Sequence, residues 1–164
     1  MSQENVETVR ELFERFGELE FGQLRGALET SSSLPEGAAK MGDLGRWLLD
    51  RLHPEVELDA SALRALPEGN RGQGHQGWFE FWRTWLIPWE EFEYTPDRWH
   101  DAGDRVVVEL VQRGRLAGGL EYATPISNVW TFGGERVIRL QMFSTWAEAL
   151  EAAGRSERDA HADS

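Results

Sequence analysis

Asp59 is the side chain best suited to move a proton. It closes a short alternating run, Val56-Glu57-Leu58-Asp59-Ala60. Period two puts Val56, Leu58 and Ala60 on one face of a strand and Glu57 and Asp59 on the other. A carboxylate there could abstract a proton or activate water if the fold brought it beside His53, His75 or His100. The competing reading is an outward acid at a strand end. His75 precedes a helix, where it can meet a guest at a cavity mouth or simply cap backbone, and His100 sits beside a turn. His161 belongs to the C-terminal tail and is set aside. The histidines lack helical ligand spacing and the chain has no cysteine, so neither a metal nor another cofactor is expected. Gly69 to Gly74 (GNRGQG) is glycine-rich, yet it fits neither the dinucleotide nor the Walker spacing and reads as a flexible loop.

The elements that must position these groups are legible from periodicity. Val6, Val9, Phe13 and Phe16 recur at three and four residues, which predicts an amphipathic helix from about Ser2, ended or bent by Gly17. Asp43 is expected to cap a helix carrying Leu44, Trp47, Leu48, Leu49 and Leu52, closed by His53-Pro54. A further helix runs from Gln76 to about Ile87, with Trp78, Trp82, Trp85 and Trp89 marking one side and Pro88 limiting its end. Phe92 to Trp99, Arg105 to Gln112, Glu121 to Phe132 and Arg136 to Phe143 read as successive strands. Gly133-Gly134 supplies the positive φ of the last hairpin. On that strand Ile138, Leu140 and Met142 form an apolar set suited to a cavity wall, against Val137, Arg139, Gln141 and Phe143. A short helix, Ala147 to Ala153, ends at Gly154, and residues 155–164 are expected to fray. Residues 17–41 are the least regular. A short helix over Leu19 to Leu28 and an exposed loop over Thr30 to Gly37 make them an insertion or a flap. The plan is a single α+β domain over residues 1–154, with a curved sheet wrapped against helices.

Composition narrows the function classes. A chain of 164 residues can bury one substantial core. Its formal charge of -12, from 29 acidic and 17 basic side chains, repels phosphate backbones and anionic lipid, so no nucleic-acid or membrane partner is expected. The polar, acidic opening MSQENVETVREL is unlike an export signal or anchor, and the absence of cysteine fits a cytoplasmic location. Eight tryptophans are many for this length and belong in a core, a cavity wall or an interface.

Several segments together resemble the SnoaL-like branch of the nuclear transport factor 2-like superfamily. They are SQENVETVRELFERF, Gly42-Asp43-Leu44 leading to Leu52-His53-Pro54-Glu55-Val56-Glu57, and Gly69 to Gly77 before the tryptophan-rich helix. Asp101 to Val108, Asn128-Val129-Trp130-Thr131-Phe132, Val137 to Leu140 and Glu148 to Gly154 complete the set. Residues 17–41 are the main departure. The resemblance implies a cone-shaped domain whose mixed, mostly antiparallel sheet encloses a pocket, with the outer sheet face pairing two copies as a homodimer. It leaves chemistry open, because such folds include isomerases, cyclases, hydrolases, dehydratases and binders without chemistry.

Comparison with the ketosteroid-isomerase members puts Phe13 at the position of their helix tyrosine and Ser127 at that of their sheet acid. Their base falls on Ala60, or on Asp59 with a register shift of one. An oxyanion donor is worth about 3 kcal/mol in rate, so the loss of two makes that reaction unexpected here. The resemblance makes Asn128 a pocket hydrogen-bonder, although Ser127 and Asn128 cannot both face inward without a bulge. Expected ligand contacts are therefore Phe13, Trp47, Trp78 and Trp82 from the helices. Ser127, Asn128, Leu140 and Met142 are expected from the sheet. The leading expectation is a soluble protein that binds a small apolar molecule and has no assigned activity. The alternatives are a cofactor-free cyclase, isomerase or hydratase/hydrolase acting on an apolar polyketide- or terpenoid-like substrate with Asp59 as base, and a non-catalytic homodimeric scaffold.

Overall fold

The computed structural model describes residues 2–63 and 71–162. Helices α1 (Ser2–Gly17), α2 (Phe21–Glu29), α3 (Leu34–Lys40) and α4 (Asp43–Arg51) come first. Strand β1 (Leu52–Asp59) follows, then β2 (Arg71–Gln73) and α5 (Gly74–Leu86). A long meander succeeds them: β3 (Trp89–Asp101), β4 (Arg105–Leu116), β5 (Glu121–Gly133) and β6 (Arg136–Phe143), with α6 (Trp146–Ala162) last. The six strands form one curved sheet in the order β2-β1-β6-β5-β4-β3. Only the β1–β6 pairing is parallel. The sheet wraps around the N-terminal helices as a cone.

The strand pairing breaks register at four places among the described residues, and two of these breaks re-aim side chains that matter here. On β3 the pairing steps from Pro96↔Leu110 to Arg98↔Glu109, leaving Asp97 as the extra residue. The step moves the inward face from even to odd positions, so Trp99 joins Phe92 and Tyr94 in packing against the core. On β6, Phe132 pairs with Val137 while Thr131 pairs with Arg139, leaving Ile138 unopposed. Val137 therefore turns inward and is 2% exposed, whereas Ile138 is only half-buried. Strict alternation had placed these two the other way round. The hairpin between β5 and β6 turns at Gly134, whose φ is +65°.

The segment 17–41 is more regular than its sequence suggests. Where an exposed loop was expected, Leu34–Lys40 is helical. Ser33 Oγ accepts from the Glu36 N–H at 3.3 Å, and the Glu36 carboxylate accepts from the Ser32 N–H at 3.1 Å. Ser33 is thus the N-cap, the Glu36 carboxylate reaches back one residue further to Ser32, and Pro35 is pre-set for the first turn. Leu34 and Ala38 are buried, so this segment is a wall of the domain. At the next helix the N-cap is Gly42 rather than Asp43, which instead pairs with Arg46 one turn on. Gly69 and Asn70 of the glycine-rich loop lie outside the described residues, while its end, Arg71–Gln73, forms β2 against β1.

The C-terminal helix covers part of the outer sheet face. Ala149 and Ala153 of α6 pack on Val107 and Val129, with Phe143 and Trp146 beside them. Arg98 lies 4.5 Å over the Trp146 ring. Part of the face expected to meet a second copy is thus occupied by this chain's own helix, which continues past Gly154 to Ala162. No described helix is long and apolar enough to cross a membrane.

Candidate functional site

A cavity of about 350 Å³ lies between the helices and the concave face of the sheet. Leu12, Phe13 and Phe16 of α1 form one side, and Trp78, Phe79 and Trp82 of α5 the other. Phe21, Leu24 and Leu28 of α2, Leu34 of α3 and Leu48 of α4 complete the apolar helical wall. The sheet contributes Phe92, Glu93, Tyr94, Asn128 and Trp130. Gly17 and Glu93 are exposed, so the cavity opens between the end of α1 and β3.

Few polar groups reach this space. Asn128 is 5% exposed, and its Oδ1 is buried without a hydrogen-bond partner among the described residues. Its terminal torsion is soft, so rotation of the amide can present either an acceptor or a donor to the cavity. Leaving such an atom unpaired costs about 1–3 kcal/mol. The Trp130 indole N–H is also buried and unpartnered. Burial pushes the Tyr94 phenol far above its ordinary ionisation range, a displacement that the neighbouring Trp85 offsets only slightly. Tyr94 therefore stays a neutral donor. The Trp85 N–H lies against it at a geometry short of a hydrogen bond. Among the described lining residues Glu93 is the sole carboxylate, and there is no lysine, arginine or histidine.

Of the residues expected from sequence, Phe13, Trp78, Trp82 and Asn128 line this cavity together. Leu140 and Met142 are buried in the core behind it, outside its lining. Ser127 points to the opposite sheet face, where it pairs in register with Glu109 and Phe143. The register on both sides of it is continuous, so no bulge turns it inward beside Asn128. Trp47 packs outside the lining, with the Arg15 and Arg51 guanidiniums 5.0 and 5.9 Å from its ring centroid. The adjacent Leu48 takes the inward position.

Asp59 also lies on the outer face. Its neighbour Ala60 is fully buried, while Asp59 Oδ1 accepts from the Ser61 N–H at 2.9 Å and meets Arg71 Nε at 3.4 Å. Burial alone would raise this carboxyl, but the Ser61 hydrogen bonds and the Arg71 charge outweigh it and hold the group below its ordinary value. A depressed folded-state pKa contributes stability above the unfolded value, and that contribution disappears as pH falls through the folded value. Asp59→Asn should therefore lower stability near neutral pH by less than about 1 kcal/mol, the surface pair being largely solvated. The difference from wild type should vanish in strong acid, and cavity binding should be unchanged. Urea melts at the two pH values and a binding titration check this.

The histidines are apart from the cavity. His75 Nε2 lies 3.1 Å from the Leu52 carbonyl, His53 Nδ1 accepts from the Glu55 N–H at 3.0 Å, and His100 is exposed on β3. No cluster of His, Cys, Asp or Glu among the described residues is arranged to hold a metal ion. Tyr94 and Trp130 were not singled out from sequence. Period two on β3 and β5 would have found both, since Phe92 and Asn128 stand two residues away on the same faces.

No protein-family model matches the chain, and no curated protein does. Solved structures do match in shape. An NTF2-like protein of unknown function from Burkholderia pseudomallei K96243 aligns with a TM-score of 0.59 at 21% identity. The alignment covers 90% of this chain and 95% of that one. A SnoaL-like protein from Jannaschia sp. CCS1 aligns with a TM-score of 0.60 at 16% identity, covering 92% of each chain. TerC, in a structure co-crystallised with polyporic acid, aligns with a TM-score of 0.51 at 22% identity over 66% of this chain and 85% of its own.

Proposed function

Since the chain has the NTF2-like fold, in the form seen in SnoaL-like proteins, we propose that its cone is a binding site for one small, mostly apolar molecule. The observation that carries this reading is an aromatic and aliphatic cavity of about 350 Å³ with only a few inward polar groups. Sites for small molecules generally combine an apolar wall with a few polar groups that fix orientation. Here Asn128 and Tyr94 serve that role, pairing with one oxygen or nitrogen of the guest, while the rings and leucines remove its body from water. The volume is at the small end of ligand sites, so a molecule of two or three fused or linked rings is its upper limit. TerC, which shares the fold, was co-crystallised with polyporic acid, and this supports a small organic molecule as the kind of partner.

The test is a fluorescence titration with N-phenyl-1-naphthylamine, a neutral apolar probe that brightens when desolvated. Wild type should bind it saturably with quenching of tryptophan emission. Leu24→Trp, which fills the α2 side of the cavity, should weaken binding about tenfold or more without loss of fold. Equal affinity in the variant, or no saturable binding by wild type, would sink the reading.

A further inference from the structure

Five rings that line the cavity close into a circuit. Phe13 lies 6.3 Å from Trp130, Trp130 lies 6.2 Å from Trp78, and Trp78 lies 6.2 Å from Trp82, centroid to centroid. Trp82 is then 6.2 Å from Tyr94, and Tyr94 is 6.4 Å from Phe13, where the circuit began. Neighbouring planes meet at 81°, 55°, 60°, 83° and 86° in the same order. Four of the five contacts are edge-to-face and the fifth is tilted, so the rings enclose a box to which they present a mixture of faces and edges. Four separate elements supply the walls: α1, α5, β3 and β5. With sides this equal, the centre of the box is on average no more than roughly 5–6 Å from each centroid, within the range at which a cation is drawn to an aromatic face.

No cation faces into the box, although Arg10 lies 5.0 Å over Trp99 behind Phe13. The described lining offers no cationic side chain, and Glu93, its single acidic residue, alternates to the outer face of β3 between the inward Phe92 and Tyr94, where it pairs in register with Arg113. Glu18 and Glu20, both exposed, flank the rim residue Leu19. An anionic guest would meet the negative faces of the rings with no compensating charge. A primary ammonium would lose three water hydrogen bonds and find few acceptors to replace them. A fully substituted ammonium has no such donors, is weakly hydrated, and gains from each ring whose face it meets.

Building on the guest-binding reading above, we infer that the five-ring box selects a quaternary or tertiary ammonium head. The apolar remainder of the molecule lies toward the leucines of α2 and α3. The acidic rim then draws the cation toward the mouth, and Asn128 orients the polar end nearest the sheet.

Isothermal titration of the full chain with phenyltrimethylammonium and with tert-butylbenzene isolates the charge, because the two differ only in nitrogen for carbon at the same shape. The cation should bind about tenfold or more tightly. Trp82→Leu should reduce cation affinity about fivefold or more and leave the neutral compound within twofold, while Trp82→Phe restores most of the preference. Glu18→Gln and Glu20→Gln together should weaken the cation at low salt and leave the hydrocarbon unchanged. Equal or tighter binding of tert-butylbenzene overturns the ammonium inference and leaves the cavity reading standing. So does binding of N-phenyl-1-naphthylamine with no binding of the cation, or a Trp82→Leu variant that keeps the full preference. Absence of binding by all three probes overturns both.

Discussion

Alanine at Gly45 is expected to destabilise the domain by about 2 kcal/mol or more, a fall in melting temperature of roughly 4–8 °C for a chain of this size. Gly45 is buried in α4, and a Cβ there would stand 1.8 Å from the Ala38 carbonyl oxygen, 2.5 Å from its carbon and 2.7 Å from its Cα. All three are backbone atoms of α3, so no side chain can swing aside and the two helices must separate. Alanine's better helix propensity returns only about 1 kcal/mol. Leu34 and Leu48, one on each of these helices, line the cavity, so probe binding should weaken along with stability. Gly22→Ala and Gly26→Ala in α2 provide the control. A Cβ at either meets nothing within 4 Å, so the same chemical change should leave the melting temperature unchanged or raise it. A Gly45→Ala variant melting with wild type in circular dichroism would show that the α3–α4 contact is looser than described.

That close contact also explains why residues 17–41 were hard to read. Gly22, Gly26, a serine run and Pro35 each weaken the helical pattern, so the segment looked like a loop. The decisive local signal was Ser32-Ser33-Leu34-Pro35-Glu36, in which the Ser33 hydroxyl caps Glu36 and the Glu36 carboxylate holds Ser32, fixing the start of α3. The rest of the segment's order comes from tertiary contact, above all Gly45 against Ala38. The meander was legible because Val106, Val108 and Leu110 alternate toward the core. Val107 is equally buried, and three consecutive buried valines mark a strand covered on both faces. The cover is α6, which the sequence reading had ended at Gly154.

Within the cavity, legibility stopped at register. The spacing of Trp78 and Trp82 put both on one side of α5, and both line the cavity. Trp47 was grouped with them by residue type, yet helical phase gives the inward place to Leu48. Ile138 and Val137 exchanged roles because a bulge is a property of two paired strands and leaves no mark in one. The aromatic circuit was illegible for a stronger reason. Its five rings come from residues 13, 78, 82, 94 and 130, and apart from Trp78 and Trp82 on one helix only the closed cone brings each within 6.4 Å of its neighbours in the circuit.

Trp78→Ala should have the largest effect of any cavity substitution, a loss of about 3–5 kcal/mol in urea unfolding. Trp78 is 5% exposed and packs in the core as well as facing the cavity, so its ring both supports the fold and shapes the guest site. A residue that served only as wall would cost much less on truncation, because its lost contacts would be with empty space. Removing the indole enlarges an apolar void whose remaining sides, Trp82 and Trp130, are held at 6.2 Å from the missing centroid. Free indole matches that void in shape and should bind it, as apolar cavities accept small aromatic molecules. Binding to the folded state alone returns about 2.7 kcal/mol at a hundredfold excess over Kd. Added indole should therefore raise the melting temperature of the variant well above its effect on wild type. A variant within 1 kcal/mol of wild type would remove Trp78 from the core, and equal shifts from indole in both proteins would show that the vacated space had collapsed.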